Sequence, residues 1–313
     1  MELSFSQIKQ YTKGALLVTQ EPNEYRFTRF IPEQQKSFGE VFVPWEVRSH
    51  YTSGIRLDFH TDASALHIVV GAEGNYEVLV DDLCVFFSPV AAEESINVPL
   101  DSGDHRVTIV LPSLSCGTLR SVRLEGETYI KSHTYSTTAI FYGDSITQGS
   151  TSIKSSESYT WLLTRNYDWD SINFGVGGIR FQPEVMLDLG CQAEIVIVSL
   201  GTNNFGSNKP RELLEATCPA YFDRLQALHP YSKIFCITPI WRADGDMTKN
   251  AGTIHDVRAF IEREAQLRNF VVIDGFSLVP HRTEYFADER LHPNDIGFAL
   301  YAQNLIRALD QHL

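Results

Sequence analysis

Two hydrophobic periods divide the chain. From about residue 25 to 125 apolar positions alternate with polar ones, as in Ile55, Leu57, Phe59, then Leu66, Ile68, Val70, then Tyr76, Val78, Val80, and later Val107, Ile109. A period of two belongs to strands with one face buried. Turn-forming clusters separate the runs, among them Thr61-Asp62-Ala63-Ser64, Gly71-Ala72-Glu73-Gly74-Asn75 and Asp101-Ser102-Gly103-Asp104. Short strands at such regular spacing predict an all-β, jelly-roll-like antiparallel sandwich. After residue 138 the pattern changes to short continuous apolar runs: Thr138-Ala139-Ile140-Phe141-Tyr142, Ile195 to Leu200, Lys233 to Ile237, and Phe270 to Ile273. Between and after them, Arg211 to Leu228, Ile254 to Leu267 and Asp295 to Leu313 carry apolar residues at helical spacing. Alternating strand and helix predict a three-layer α/β domain whose parallel sheet is covered on both faces. The polar stretch at 126–137 is the expected boundary, which gives an accessory sandwich at 1–130 and a second domain at 131–313.

Charge narrows the partners. With 26 basic and 39 acidic residues the formal charge is −13. An acidic chain lacks the basic face that a phosphate backbone requires, so no nucleic-acid partner is expected, and anionic membranes are disfavoured for the same reason. The start, Met1-Glu2-Leu3-Ser4-Phe5-Ser6-Gln7, has neither a basic beginning nor a continuous apolar stretch, unlike a secretory signal, and no run reaches membrane-spanning length. Five scattered cysteines (Cys84, Cys116, Cys191, Cys218, Cys236) show no Cys-x-x-Cys spacing. They read as reduced, mostly buried thiols, and the chain as cytoplasmic, although a removed leader would leave the same sequence. The histidines His60, His67, His105 and His281 form no ligand spacing with carboxylates or cysteines, so neither a metal nor a cofactor is expected.

Candidate chemistry sits where an open α/β sheet gathers it, at the carboxyl ends of the strands. Ser145, in Phe141-Tyr142-Gly143-Asp144-Ser145-Ile146-Thr147-Gln148-Gly149, follows the first strand of the second half. Asn173-Phe174-Gly175-Val176-Gly177-Gly178 follows a short apolar run, Gly201-Thr202-Asn203-Asn204 follows another, and His292-Pro293-Asn294-Asp295 precedes the last helix. Each block has an ordinary use on its own: a strand-to-helix turn, a tight turn at Gly177-Gly178, a cap at Asn203 or at His292. Their joint occurrence in this order points to a hydrolytic site. Histidine titrates near neutrality and suits the base that a serine hydroxyl needs. The Ser145 and Gly178 amides and the Asn203 carboxamide could supply oxyanion donors. Asp144 would hold the turn. Tyr159, Trp161 and the Trp241-Arg242 pair are candidates to line the cleft, with core packing the competing use, above all for Trp161.

These blocks resemble the SGNH, or GDSL-like, hydrolase family, over roughly residues 138 to 313. The resemblance implies Ser145 as nucleophile, Gly178 and Asn203 with Ser145 as the oxyanion hole, and His292 as general base. It departs from pattern at one point. In the family an Asp stands three positions before the His, whereas here that position is Glu289, and Asp288 stands four before. Asp288 is preferred on chemistry and Glu289 follows on register; a backbone carbonyl holding His292 is the third option. A sandwich ahead of such a domain resembles carbohydrate esterase family 2 and related sugar-ester hydrolases. That likeness implies a small acylated carbohydrate, most simply an O-acetyl ester, as substrate. The first half would then contact carbohydrate, or support the second half or a homo-oligomer interface. The competing functions are a lipid-directed esterase or acyltransferase of the same family, and a carbohydrate-binding protein with a vestigial site.

Overall fold

The computed structural model describes residues 1–127 and 129–313. Thr128, in the polar stretch at the expected boundary, lies outside the described residues. The first half holds two antiparallel sheets. One has the order Thr12–Lys13, Arg56–Thr61, His105–Val110, Gly74–Val80, Leu83–Val90, with Ile130–Ser132 also pairing on Arg56–Thr61. The other runs Leu17–Glu21, Glu24–Thr28, Thr118–Glu125, Ala65–Val70, Ser95–Pro99. The alternating residues do what their period requires: Leu57, Phe59, Leu66, Ile68, Tyr76, Val78, Val107 and Ile109 are all buried in one core.

One stretch departs from that alternation. Residues Pro32–Val41 and Val43–Ser49 are helices, each with proline in its first turn, where the missing N–H costs nothing. Their buried side chains Phe38 and Trp45 join the core of the second half, together with Phe30. The first half therefore sends a helical arm onto the second.

The second half is a five-stranded parallel sheet in the order Trp169–Gly175, Thr137–Gly143, Ile195–Ser199, Lys233–Ile237, Val271–Ile273. Successive residues of each strand bury on opposite faces, Ile140, Val196 and Cys236 on one and Phe141, Ile197 and Phe235 on the other. This is why the runs are continuously apolar. Helices Arg211–Leu228 and Ile254–Gln266 cover the first face through Leu214, Cys218, Phe222, Val257 and Ile261. Helix Asp295–Leu309 covers the second through Phe298, Tyr301, Ala302 and Leu305. Not all thiols are buried as expected, because Cys84 and Cys116 stand in exposed positions of the first half. Among the described residues no helix is long and apolar enough to cross a membrane.

Polar groups join the halves. Arg106 pairs with buried Asp58 (2.7 Å) and reaches Asp168 of the second half (3.4 Å), while Arg56 donates to the Trp169 carbonyl (3.3 Å). A further link is Arg29, which is fully buried and has no carboxylate partner among the described residues. Its Nη1 donates to the carbonyls of Asn173 (2.6 Å) and Gly175 (2.8 Å), its Nε to Tyr51 (2.7 Å) and its Nη2 to Arg48 (3.1 Å). Burial, opposed by Cys116, draws its pKa down to about 9, so the guanidinium remains charged at neutral pH. Replacing Arg29 with Met should lower stability in a urea titration by about 3 kcal/mol or more, because buried carbonyls lose their donor at roughly 1–3 kcal/mol each. Arg29→Lys should recover only part. A loss below about 1 kcal/mol would mean that the halves are held together elsewhere.

Candidate active site

The turn that carries Ser145 is built by close contact. Strand Thr137–Gly143 runs directly into the four-residue helix Ser145–Gln148. Gly143 is needed there, since a Cβ would lie 1.9 Å from Thr147 Oγ1. Asp144 caps the helix, its Oδ1 accepting from the Ile146 amide at 3.0 Å. The Thr147 hydroxyl in turn meets Tyr159 Oη at 2.8 Å.

Ser145 Oγ lies 2.9 Å from His292 Nε2, and His292 Nδ1 lies 2.8 Å from Asp288 Oδ2. Asp288 is locked by its own loop: Oδ1 accepts from the amides of Leu291 (2.7 Å), His292 (3.0 Å) and Arg290 (3.1 Å). Burial alone would raise its carboxyl. The three amides and the imidazole outweigh that effect and hold it well below the ordinary carboxylate range. Glu289 makes the turn instead, with φ at 55° and an exposed side chain. The carboxylate–imidazole register is thus set by the tight loop between Phe286 and Pro293, which pair as a bridge, with the Ala287 amide donating to the His292 carbonyl at 2.8 Å.

Gly178 and Asn203 stand on the other side of Ser145, in the same cleft of about 420 Å³. Gly178 has φ at 83°, and a Cβ there would lie 2.9 Å from Arg48 Nη1. Its amide has no acceptor among the described residues. The preceding residue is clasped at both ends. The Gly177 amide donates to Gln148 Oε1 (2.8 Å), its carbonyl accepts from Arg48 Nη1 (2.5 Å), and Gln148 Nε2 closes the ring on the Arg48 carbonyl (3.1 Å). Asn203 Nδ2 donates to the Ile179 carbonyl (3.1 Å) and, at a longer 3.3 Å, to Asp144 Oδ2. Burial pushes the Asp144 carboxyl up to about 6, despite the Ile146 amide and the nearby His292 and Arg242.

The GDSL-like Lipase/Acylhydrolase family profile matches residues 141–300, which span every one of these blocks. The chain belongs to that family. A salicylyl-acyltransferase from a tetracycline biosynthetic pathway superposes with a TM-score of 0.83 at 23% identity, over 96% of this chain and 94% of that one. A family two carbohydrate esterase from Cellvibrio japonicus gives 0.69 at 16% identity, over 97% and 96%. An acetyl xylan esterase from the rumen bacterium Butyrivibrio proteoclasticus gives 0.67 at 14% identity, over 99% and 98%. These likenesses establish a shared fold across both halves. No curated protein sequence matches the chain significantly.

The remaining candidates support this family fold from a distance. Trp241 does not line the cleft; it is half-buried, against His281 (5.8 Å between centroids) and Phe286 (5.3 Å), at the base of the loop that carries Asp288. Its neighbour Arg242 is buried, pairs with Asp244 at 2.6 Å and donates to the Thr202 carbonyl at 3.0 Å, which fixes the turn before Asn203. Tyr159 and Trp161 are core residues. What the alternating pattern obscured is that Arg48, Tyr51 and Leu114 of the first half line the cleft beside Ser145. The prolines at 32 and 44, each opening a helix, were the available signal.

Because the folded Asp288 carboxyl titrates below its unfolded value, its contribution to stability is complete above about pH 4 and is lost as pH falls below that. Asp288→Asn should therefore be less stable than the parent chain at pH 7, and the difference should shrink steadily in denaturant titrations below about pH 4. A gap that stays constant with pH would show that the carboxylate charge is not what holds the loop.

Proposed function

We propose that the protein is a serine esterase that removes short acyl groups, most simply acetyl, from hydroxyls of small carbohydrates through an acyl-enzyme. The observation that carries this reading is the continuous hydrogen-bonded chain from Ser145 through His292 to Asp288. Its components have the right characters. Asp288 stays ionised, and its Oδ2 at Nδ1 selects the tautomer that leaves Nε2 as the acceptor facing Ser145 Oγ.

In the first step Oγ attacks the ester carbonyl while Nε2 takes its proton. The oxyanion is met by the amides of Ser145 and Gly178 and by Asn203 Nδ2, whose longer bond to Asp144 is the one that yields. The imidazolium then protonates the departing sugar oxygen. Water enters, gives a proton to Nε2, and attacks the acyl carbonyl, releasing the acid and Ser145. The intact hydrogen bond between Asp288 and His292 favours turnover over sugar binding at a vestigial site.

Enclosed apolar space next to the serine turn is small. The apolar chamber on the other side of Gly143, lined by Phe30, Phe38, Phe174, Ile179 and Met186, has a free volume of only about 30 Å³, and Ser145 is not part of its wall. That holds about one water and no extended acyl chain. The cleft around Ser145 is larger and mixed in polarity, which suits a sugar. The names of the esterases of similar fold point the same way.

Hydrolysis of a series from acetyl to octanoyl esters, with acetylated xylo-oligosaccharides included, tests this. Rates should be highest for acetyl and fall by roughly 10³ or more in Ser145→Ala, with an organophosphonate labelling Ser145 alone. Equal rates in the two proteins would remove the assignment, and a steep rise toward octanoyl would favour a lipid substrate. Asp288→Asn should lower kcat by about 10²–10⁴. Glu289→Gln should stay within about twofold, being an exposed side chain outside this network.

A further inference from the structure

Beside Gly178 the cleft is lined by Arg48, and behind the same loop lie further N–H donors that have no acceptor among the described residues. Arg48 uses Nη1 to hold the Gly177 carbonyl, while its Nε and Nη2 have no acceptor and no ion pair among the described residues. The Trp45 ring is fully buried, yet its indole N–H has no partner among the described residues and lies 3.6 Å from where a side chain at 178 would begin. Arg180 lies 5.2 Å over that same ring, with a buried Nε that likewise has no partner among those residues. Glu184 acts on Arg180 electrostatically without pairing with it. The nearby acids are engaged elsewhere: Asp144 with Ile146 and Asn203, Asp288 with its loop amides and His292.

Neither arginine has an ion pair among the described residues, in a chain of formal charge −13. A buried donor left without an acceptor is costly, and guanidinium groups with free N–H pairs are matched in geometry to carboxylates. Resting on the esterase reading above, we infer that Arg48, Trp45 Nε1 and Arg180 form an anion subsite beside the oxyanion loop, and that the ester substrate carries a carboxylate there. That carboxylate belongs either to the alcohol portion, as in an acylated uronic acid, or to the acyl portion, as in a hemiester of a dicarboxylic acid. Arg48 holds the loop through one N–H and offers the others to the ligand. Tertiary contact sets this up, because Arg29 and Gln148 fix the Arg48 backbone carbonyl.

Two matched pairs of esters test the subsite: acetylated galacturonic acid against acetylated methyl galactoside, and p-nitrophenyl hemisuccinate against p-nitrophenyl butyrate. In one pair the charged ester should be preferred roughly tenfold in kcat/KM, mainly through a lower KM, and the preference should weaken as salt is raised. Arg48→Met should abolish the ratio and Arg48→Lys should keep part of it. Arg180→Gln should reduce the same ratio, which keeps the test readable if Arg48→Met fails to fold. Which pair responds identifies the portion that bears the charge. Neutral esters turned over with no charge preference in either pair, or a preference that survives Arg48→Met, would overturn the subsite and leave the esterase reading standing. If no ester is cleaved at all, calorimetric titration of the Ser145→Ala protein with sodium galacturonate and with succinate decides separately. Saturable binding lost on adding Arg48→Met keeps the subsite, and no binding removes it.

Discussion

Among the described residues, the hydrogen-bond acceptors of one buried cation are all carbonyl oxygens. Arg29 is fully buried and donates to Asn173 and Gly175 at the end of a parallel strand, and to Arg48 and Tyr51 at the end of the helical arm. A buried charge must be paired or richly hydrogen-bonded, and here the hydrogen bonds do both tasks because carbonyl dipoles converge on the guanidinium from both halves. Separating the halves would take away the two acceptors at Asn173 and Gly175. The arm and the strand end are therefore held in one register, and the residues that follow each of them meet at the cleft.

From that register the glycine-loop side of the cleft follows. Strand Trp169–Gly175 leads into Gly177 and Gly178, and Gly177 is gripped by Gln148 from the serine turn and by Arg48 from the arm. Three segments distant in sequence thus fix one short loop. The other side is local: five residues from Asp288 to His292 fold on themselves, and their own amides saturate the carboxylate that orients the imidazole. The hydrogen bond between Ser145 and His292 (2.9 Å) joins the two sides, and beside it Thr151 Oγ1 donates to the Pro293 carbonyl (2.6 Å).

The first half is part of the site as well as a neighbour of it. Its sandwich core is self-contained, but Phe30, Phe38 and Trp45 are packed in the core of the second half, and Arg48, Tyr51 and Leu114 stand in the cleft. The wall of the cleft is therefore drawn from both halves of the chain.

The amino-acid pattern alone settled what depends on short-range order. Period-two alternation marked four of the sandwich strands, continuous apolar runs marked four of the five parallel strands, Trp169–Gly175 showing only as the short run Ser171-Ile172, and the helix at 211–228 was legible to its ends because its apolar positions recur at helical spacing. The serine, glycine, asparagine and histidine blocks could be seen because each is a compact turn with its own residue chemistry. Tertiary structure decided the rest. Asp288 rather than Glu289 faces His292 because Glu289 adopts a left-handed conformation that a one-residue count cannot foresee. Trp241 packs behind the loop because Phe286 and His281 offer it a surface there. Arg48 enters the cleft because Arg29, more than a hundred positions from the carbonyls of Asn173 and Gly175, ties the arm to that strand. The Trp241 and Arg48 contacts join segments remote in sequence, whereas Asp288 is chosen by the backbone of a five-residue loop, and no local periodicity carries a record of either.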